Sequence, residues 1–235
     1  MNLIALAIAP GLAICLFVFY KDNYNREPKR NLVVSFILGS ATIIPAFYIE
    51  TFFGSKLNGT VSQLAIYSYC VVAFIEELGK FIVIRYYAFP KKSFDEPLDG
   101  IVYAVMIGMG FATVENIGYV MQHGIAVAFL RMFLSVPAHA TFAVIMGYHV
   151  GKAKFATTNK SYFLFLGLFW AIVFHGTFDY FLFLQNNALV NQYVSNILLF
   201  GGALISLIVG LWLSRRHFHQ YRLSSKQAFE NNNRV

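Results

Sequence analysis

The sequence is short of charge. Only 12% of its 235 residues are Asp, Glu, Lys or Arg, against about a quarter in a typical soluble domain. Because 58% of the residues are hydrophobic, that deficit excludes an ordinary soluble domain and puts the chain in a bilayer. Cysteine is scarce too. Cys15 and Cys70 fall inside apolar runs, which reads as two buried thiols and excludes a disulfide framework or a zinc ribbon. Several signatures are missing: there is no P-loop, no Rossmann fingerprint and no HExxH helix, and no G-x-S-G or G-x-G-D motif. No internal repeat, coiled coil or low-complexity stretch occurs, which speaks against a carrier built from inverted repeats. The apolar N-terminal run has no basic segment ahead of it, so it reads as a retained span and not as a cleaved signal peptide. The net charge of +7 raises nucleic acid as a partner. The basic residues are scattered among short loops, however, and a topological role accounts for them.

What is present is a series of spans. Apolar stretches of membrane-crossing length occupy residues 3–20, 31–53, 61–85, 98–121, 125–150, 161–184 and 193–213. Pro45 predicts a kink in the second, and Pro137 breaks the fifth. The fold class is an all-α polytopic membrane bundle of seven helices, or eight if Pro137 splits the fifth. Basic-rich and basic-poor loops alternate, so the positive-inside rule places the N-terminus outside and the C-terminus in the cytoplasm. Residues 1–222 read as a single transmembrane domain and 223–235 as a flexible tail. The fourth span carries Gly100, Gly108, Gly110 and Gly118, which suits a packed interior helix.

Ionisable residues inside spans are costly and usually mark a site or a pathway. Here they are Glu76, Glu77 and Lys80 on the third span, Glu115 with Asn116 on the fourth, Arg131 and His139 on the fifth, and His175 and Asp179 on the sixth. At about 1.5 Å per residue, Glu76, His139 and His175 each lie roughly 20 Å into their spans and can meet at one depth. Lys80 follows Glu76 by four residues and Glu77 by three, so either can pair with it on one helix face. Two glutamates for one lysine leave one carboxylate available as a base or ligand. His175 and Asp179 share a face, where the carboxylate can fix the histidine's tautomer. Glu115 and Asn116 suit interhelical hydrogen bonding, and Arg131 is placed at the outer interface, snorkelling. Singly, each has a plain structural reading. Together, on four spans, they point to buried chemistry.

These residues and their surroundings resemble the PrsW family of bacterial intramembrane proteases. The resemblance rests on IAPG (Ile8–Gly11), E-E-x-x-K (Glu76–Lys80), DGIVYA (Asp99–Ala104), GFATVEN (Gly110–Asn116), PAHA (Pro137–Ala140), IMGYHVGKA (Ile145–Ala153) and HGTFDY (His175–Tyr180). A more distant likeness runs to CAAX prenyl proteases and bacteriocin-processing relatives. Glu115 stands where those carry histidine, which leaves His139 as the candidate imidazole. The resemblance implies site-one cleavage of a single-span anti-sigma factor in a stress response, in a bacterial cell membrane.

The expected catalytic set is Glu76, Glu77, His139 and His175, supported by Lys80, Glu115, Asn116 and Asp179. Two mechanisms stay open. In one, a buried glutamate alone activates water. In the other, His139 and His175 with Glu76, Glu77 or Glu115 hold Zn²⁺. The reading leans to the metal-independent version. A transporter and a non-catalytic membrane sensor are the rival functions. Oligomeric state and the choice of base between Glu76 and Glu77 are not encoded in any motif.

Overall fold

The computed structural model describes residues 2–233, and among them every regular element is helical. In chain order these are α1 (Leu3–Lys21), α2 (Lys29–Ala41) and α3 (Ile43–Gly54). A composite rod follows: α4 (Val61–Ile66), a π-wound stretch Tyr67–Ala73, α5 (Phe74–Val83), and a second π-wound stretch Ile84–Ala88. Then come α6 (Pro97–His123), α7 (Ile125–Phe133), α8 (Ser135–Phe155), α9 (Lys160–Leu184) and α10 (Asn196–Asn232).

Among the described residues, six helical stretches are long and apolar enough to cross a membrane: α1, α2 with α3, α6, α7 with α8, α9, and α10. The protein is a multi-pass membrane protein. The stretch read as a third span is helical throughout but alternates α and π winding, so no single α-helix of spanning length occupies it. Within it, Ser68 Oγ donates to the Leu64 carbonyl at 2.7 Å, a side-chain bond of the kind that disturbs the regular ladder.

The bundle is built around α6, which is buried without a gap from Leu98 to Thr113. Glycine makes this possible. A Cβ on Gly100 would run into the backbone of Gly147 and Gly151 on α8, and one on Gly110 into the Phe36 carbonyl on α2. Such contacts let helix backbones approach closely. The outward faces carry large apolar side chains, among them Phe17, Ile37, Phe165 and Ile205, as lipid contact requires.

Two helix breaks depart from expectation in the same way. The kink expected at Pro45 falls at Thr42, between α2 and α3, and the break expected at Pro137 falls at Leu134, between α7 and α8. Each lies three residues before its proline. The proline ring clashes with the carbonyl four residues back and removes the bond that would have reached it, so the disturbance appears upstream.

Two further expectations are corrected. The tail read as flexible from residue 223 is helical to Asn232. The helix is held just before it, where Tyr221 and His217 stack on Tyr148, the Tyr221 hydroxyl donates to the Tyr148 carbonyl at 2.9 Å, and Arg222 Nε donates to the Lys21 carbonyl at 3.1 Å. Cys70, read as buried, is exposed, whereas Cys15 is buried. At the same end, Asn25 donates to Asp95 at 2.7 Å, and Asn31 and Tyr103 join Ser93 and Glu27 in one network. That network ties the loop after α1 to the loop before α6.

Candidate active site

The polar residues of four chain segments converge at one depth. Lys80 on α5 is at the centre. Its Nζ donates to Glu76 Oε2 at 3.1 Å, to Glu77 Oε1 at 2.8 Å and to His139 Nδ1 at 3.4 Å, and it lies 4.0 Å from the centroid of the Phe111 ring. The (i, i+3) and (i, i+4) spacings make this triad a local product of sequence. The side chains are 1–4% exposed. At that burial an unpaired ion would cost several kcal/mol, so the pairing is what makes the burial tolerable.

The histidines arrive from α8 and α9. Their rings meet edge to face with centroids 5.1 Å apart. His139 Nε2 is 2.9 Å from Glu115 Oε2 on α6. An ammonium can only donate, so His139 Nδ1 accepts from Lys80 and its Nε2–H donates to Glu115. His175 Nδ1 is 2.9 Å from Glu77 Oε1, and its Nε2 is 3.1 Å from Asp179 Oδ2 and 3.9 Å from Glu76 Oε2. Phe142 stacks on the His175 ring with centroids 4.8 Å apart. His139 therefore has one nitrogen on Lys80 and the other on a carboxylate, which fixes its tautomer, whereas both nitrogens of His175 face carboxylates, which fixes its ring orientation.

Glu76 and Glu77 are not equivalent. Glu76 borders a cavity of about 370 Å³ together with His139, His175, Glu115 and Asp179. It also borders a second cavity of about 460 Å³ between α3 and α6. Glu77 lines neither and is 1% exposed. The 370 Å³ cavity reaches Ser135 at the break within the fifth span and Asn186 in the connection between α9 and α10, which carries no basic residue.

All eight expected site residues gather here, though not all at the centre. Asn116 donates to the Ala7 carbonyl at 2.8 Å and accepts from Arg131 Nε at 3.0 Å, which places it one layer out. Arg131 itself is a correction. It does not snorkel. Its Nη2 lies 2.5 Å from Glu115 Oε2, its guanidinium sits over the Tyr119 ring at 4.1 Å, and its side chain is 11% exposed. Glu115 and Asn116 of α6 hold it inward. Glu50, near the end of the second span, is an addition: it borders both cavities, and its Oε1 is buried with no hydrogen-bond partner among the described residues. The signal for it was a carboxylate at an apolar helix end with no basic residue within a turn.

The donor chemistry also fits a metal. One ligand atom from each of Glu76, Glu77, His139 and His175 lies within 4.8 Å of the others, a mixed imidazole–carboxylate set of the kind zinc takes. Glu77 Oε2 is buried without a partner among the described residues. Among the described residues, Glu76, Glu77, Glu115 and Asp179 face two fixed cations, Lys80 and Arg131, and a divalent ion would offset that excess.

Comparison with known proteins agrees with this picture. The family model for the PrsW family intramembrane metalloprotease matches residues 27–219. A Protease PrsW of Bacillus subtilis is 36% identical over 79% of this chain and 84% of its own length. One from Geobacillus kaustophilus is 35% identical over 77% and 80%. Another, from Clostridioides difficile, is 31% identical over 99% and 96%. No solved structure matches.

Proposed function

Since the chain belongs to the PrsW family of intramembrane proteases, and is therefore a peptidase acting on membrane proteins, we propose that Glu76 is its general base. One observation carries this. Of the two central glutamates, Glu76 alone borders the cavity where a scissile peptide and a water can sit, whereas Glu77 is enclosed between Lys80 and His175. In the reading that follows, Glu76 takes a proton from water as the water attacks the peptide carbonyl. Lys80 keeps Glu76 in place and lends positive charge to the developing oxyanion. His175, oriented by Asp179 and Glu77, faces the same cavity and protonates the leaving amine. His139, held between Glu115 and Lys80, keeps the Lys80 ammonium aimed at the reacting centre.

Glu77, His139 and His175 would hold a zinc ion with Glu76 left free as the base, and the family's description as a metalloprotease favours the metal version over the metal-independent one. When bound, zinc supplies Lewis acidity and brings the pKa of water to about 7. The protein's own groups orient the substrate and move the protons.

The cavity reaches Asn186, in the basic-poor connection between α9 and α10. By the positive-inside rule that side is extracytoplasmic, with the N-terminus outside and the C-terminus in the cytoplasm of a bacterial cell membrane. Cleavage there is the first cut of a single-span anti-sigma factor in a stress response. The test is co-expression of the wild type, Glu76→Ala, Glu77→Ala or His175→Ala with a tagged single-span anti-sigma factor. Truncated product with the wild type alone supports the reading. Intact substrate in every lane, with the protease folded, would falsify it for that substrate. The carrier and sensor alternatives give way to the family match.

A further inference from the structure

The glycines of α6 record how its distance from the second span changes along the bundle. A Cβ on Gly110 would strike Phe36 and Ser40 of α2, and one on Gly39 would strike Ile107. Two turns on, a Cβ on Gly118 would meet nothing within 4 Å. Between these points lies the Thr42 break, after which α3 leaves α6. The pair is a V, closed at Gly39 and Gly110 and open at Gly118. The opening is the 460 Å³ cavity, walled by Ile44, Phe47 and Tyr48 of α3 and by Val114 and Tyr119 of α6. These side chains are 37–69% exposed on the lipid-facing surface. The V joins the catalytic cavity at Glu50, Glu76, Glu115 and Tyr119, which line both.

We propose that the substrate's membrane segment enters sideways through this V, and that Glu50 receives a hydrogen-bond-donating side chain of that segment (ammonium, guanidinium or amide) as it passes from lipid into the site. The inference rests on the protease reading and adds the route and a specificity residue. Apolar walls match an apolar segment. Glu50 Oε1, buried and unpartnered among the described residues, stands at the junction, and a desolvated acceptor is satisfied only when a donor arrives. A substrate lacking that donor leaves the carboxylate unpaired, and this is how such a site discriminates.

Two measurements test it, the first independent of cleavage. In a Glu76→Gln background with Cys15 and Cys70 changed to serine, Gly118→Cys or Tyr48→Cys is combined with single cysteines along the membrane segment of a tagged single-span anti-sigma factor. Crosslinks from both positions to residues flanking the cut, with at least tenfold less from Trp212→Cys on the outer face of α10, support lateral entry. No crosslink from Gly118→Cys, or equal crosslinking from Trp212→Cys, overturns it. The second measurement is kinetic. A Cβ on Gly118 would meet nothing within 4 Å, so Gly118→Phe projects its ring into the V, and its unfolding midpoint is measured alongside. It lowers kcat/KM at least tenfold on the membrane substrate and less than twofold on a short soluble peptide that enters from the Asn186 end of the catalytic cavity. Glu50→Leu raises KM about tenfold, and the effect vanishes when the substrate's donor is replaced by leucine. Unchanged KM with a lowered kcat would remove Glu50 from substrate binding. Wild type that crosslinks but does not cut sinks the protease reading while leaving the entrance standing.

Discussion

Glu77 Oε1 lies 2.9 Å from His175 Nδ1 and 2.8 Å from Lys80 Nζ, and these two contacts hold it away from the cavity that its neighbour Glu76 borders. Two adjacent carboxylates thereby acquire different work. Glu76→Gln should lower cleavage by at least about 10²-fold and leave thermal stability in detergent close to wild type. Glu77→Ala strips Lys80 and His175 of a buried partner and should cost about 3–5 kcal/mol, visible as a lower unfolding midpoint as well as lost activity. Equal stability of the two variants would contradict the division.

Arg131 acts through Glu115. Arg131→Leu leaves that carboxylate without its cation and frees His139 to rotate. The expected signature is a kcat lowered about tenfold or more with KM within twofold, together with a lower unfolding midpoint. Arg131→Lys should recover only part of the rate, because an ammonium cannot bridge Glu115 and Asn116 with a planar fork.

Dialysis against a chelator should abolish cleavage, and zinc should restore it. The same treatment should lower the unfolding midpoint of the wild type and leave that of a His139→Ala/His175→Ala double variant unmoved, since ligand binding stabilises only a protein that binds it. Full activity after chelation, with no metal by elemental analysis, would return the mechanism to glutamate alone.

Gly110 and Gly118 lie two turns apart on one helix and should respond oppositely. Gly110→Ala forces α2 off α6 and should cost about 1–3 kcal/mol. Gly118→Ala should change stability by less than about 0.5 kcal/mol, the usual range for an open surface position. Chemical denaturation in mixed micelles compares the two.

Asp22, in the loop after α1, is fully buried, and burial pushes its carboxyl from 3.8 up to about 6. The folded state therefore keeps a proton that the unfolded chain releases. Stability from this group is complete below about pH 4 and falls by about 3 kcal/mol as pH rises through 6. Asp22→Asn should flatten that part of the pH–stability curve and raise the midpoint at pH 7.5.

Much of the fold and most of the site are legible in the order of residues alone. The apolar runs mark the helices, because a bilayer demands continuous internal hydrogen bonding. The charges within those runs mark the site, because an ion in lipid is too costly to keep without a use. What could not be read depended on rotation and distance. Whether Glu76 or Glu77 faces the cavity is set by π winding before and after α5, and hydropathy carries no trace of that. Arg131 faces inward because Glu115 and Asn116, on another helix, hold its guanidinium, and spacing along α7 carries no sign of them. The helical end of α10 depends on Tyr148 and Lys21, both far away in sequence. Cys70 sits in the π-wound stretch, where the extra residue per turn carries it to the outside.

The seam where Gly100 meets Gly147 and Gly151 also limits how this enzyme can change over generations. Any side chain added there pushes apart the two helices that carry Glu115 and His139, so heritable variation at the seam is paid in catalysis. The open arm of the V has no such constraint. New substrates can be acquired by exchanging residues at the doorway while the chemistry behind it stays the same.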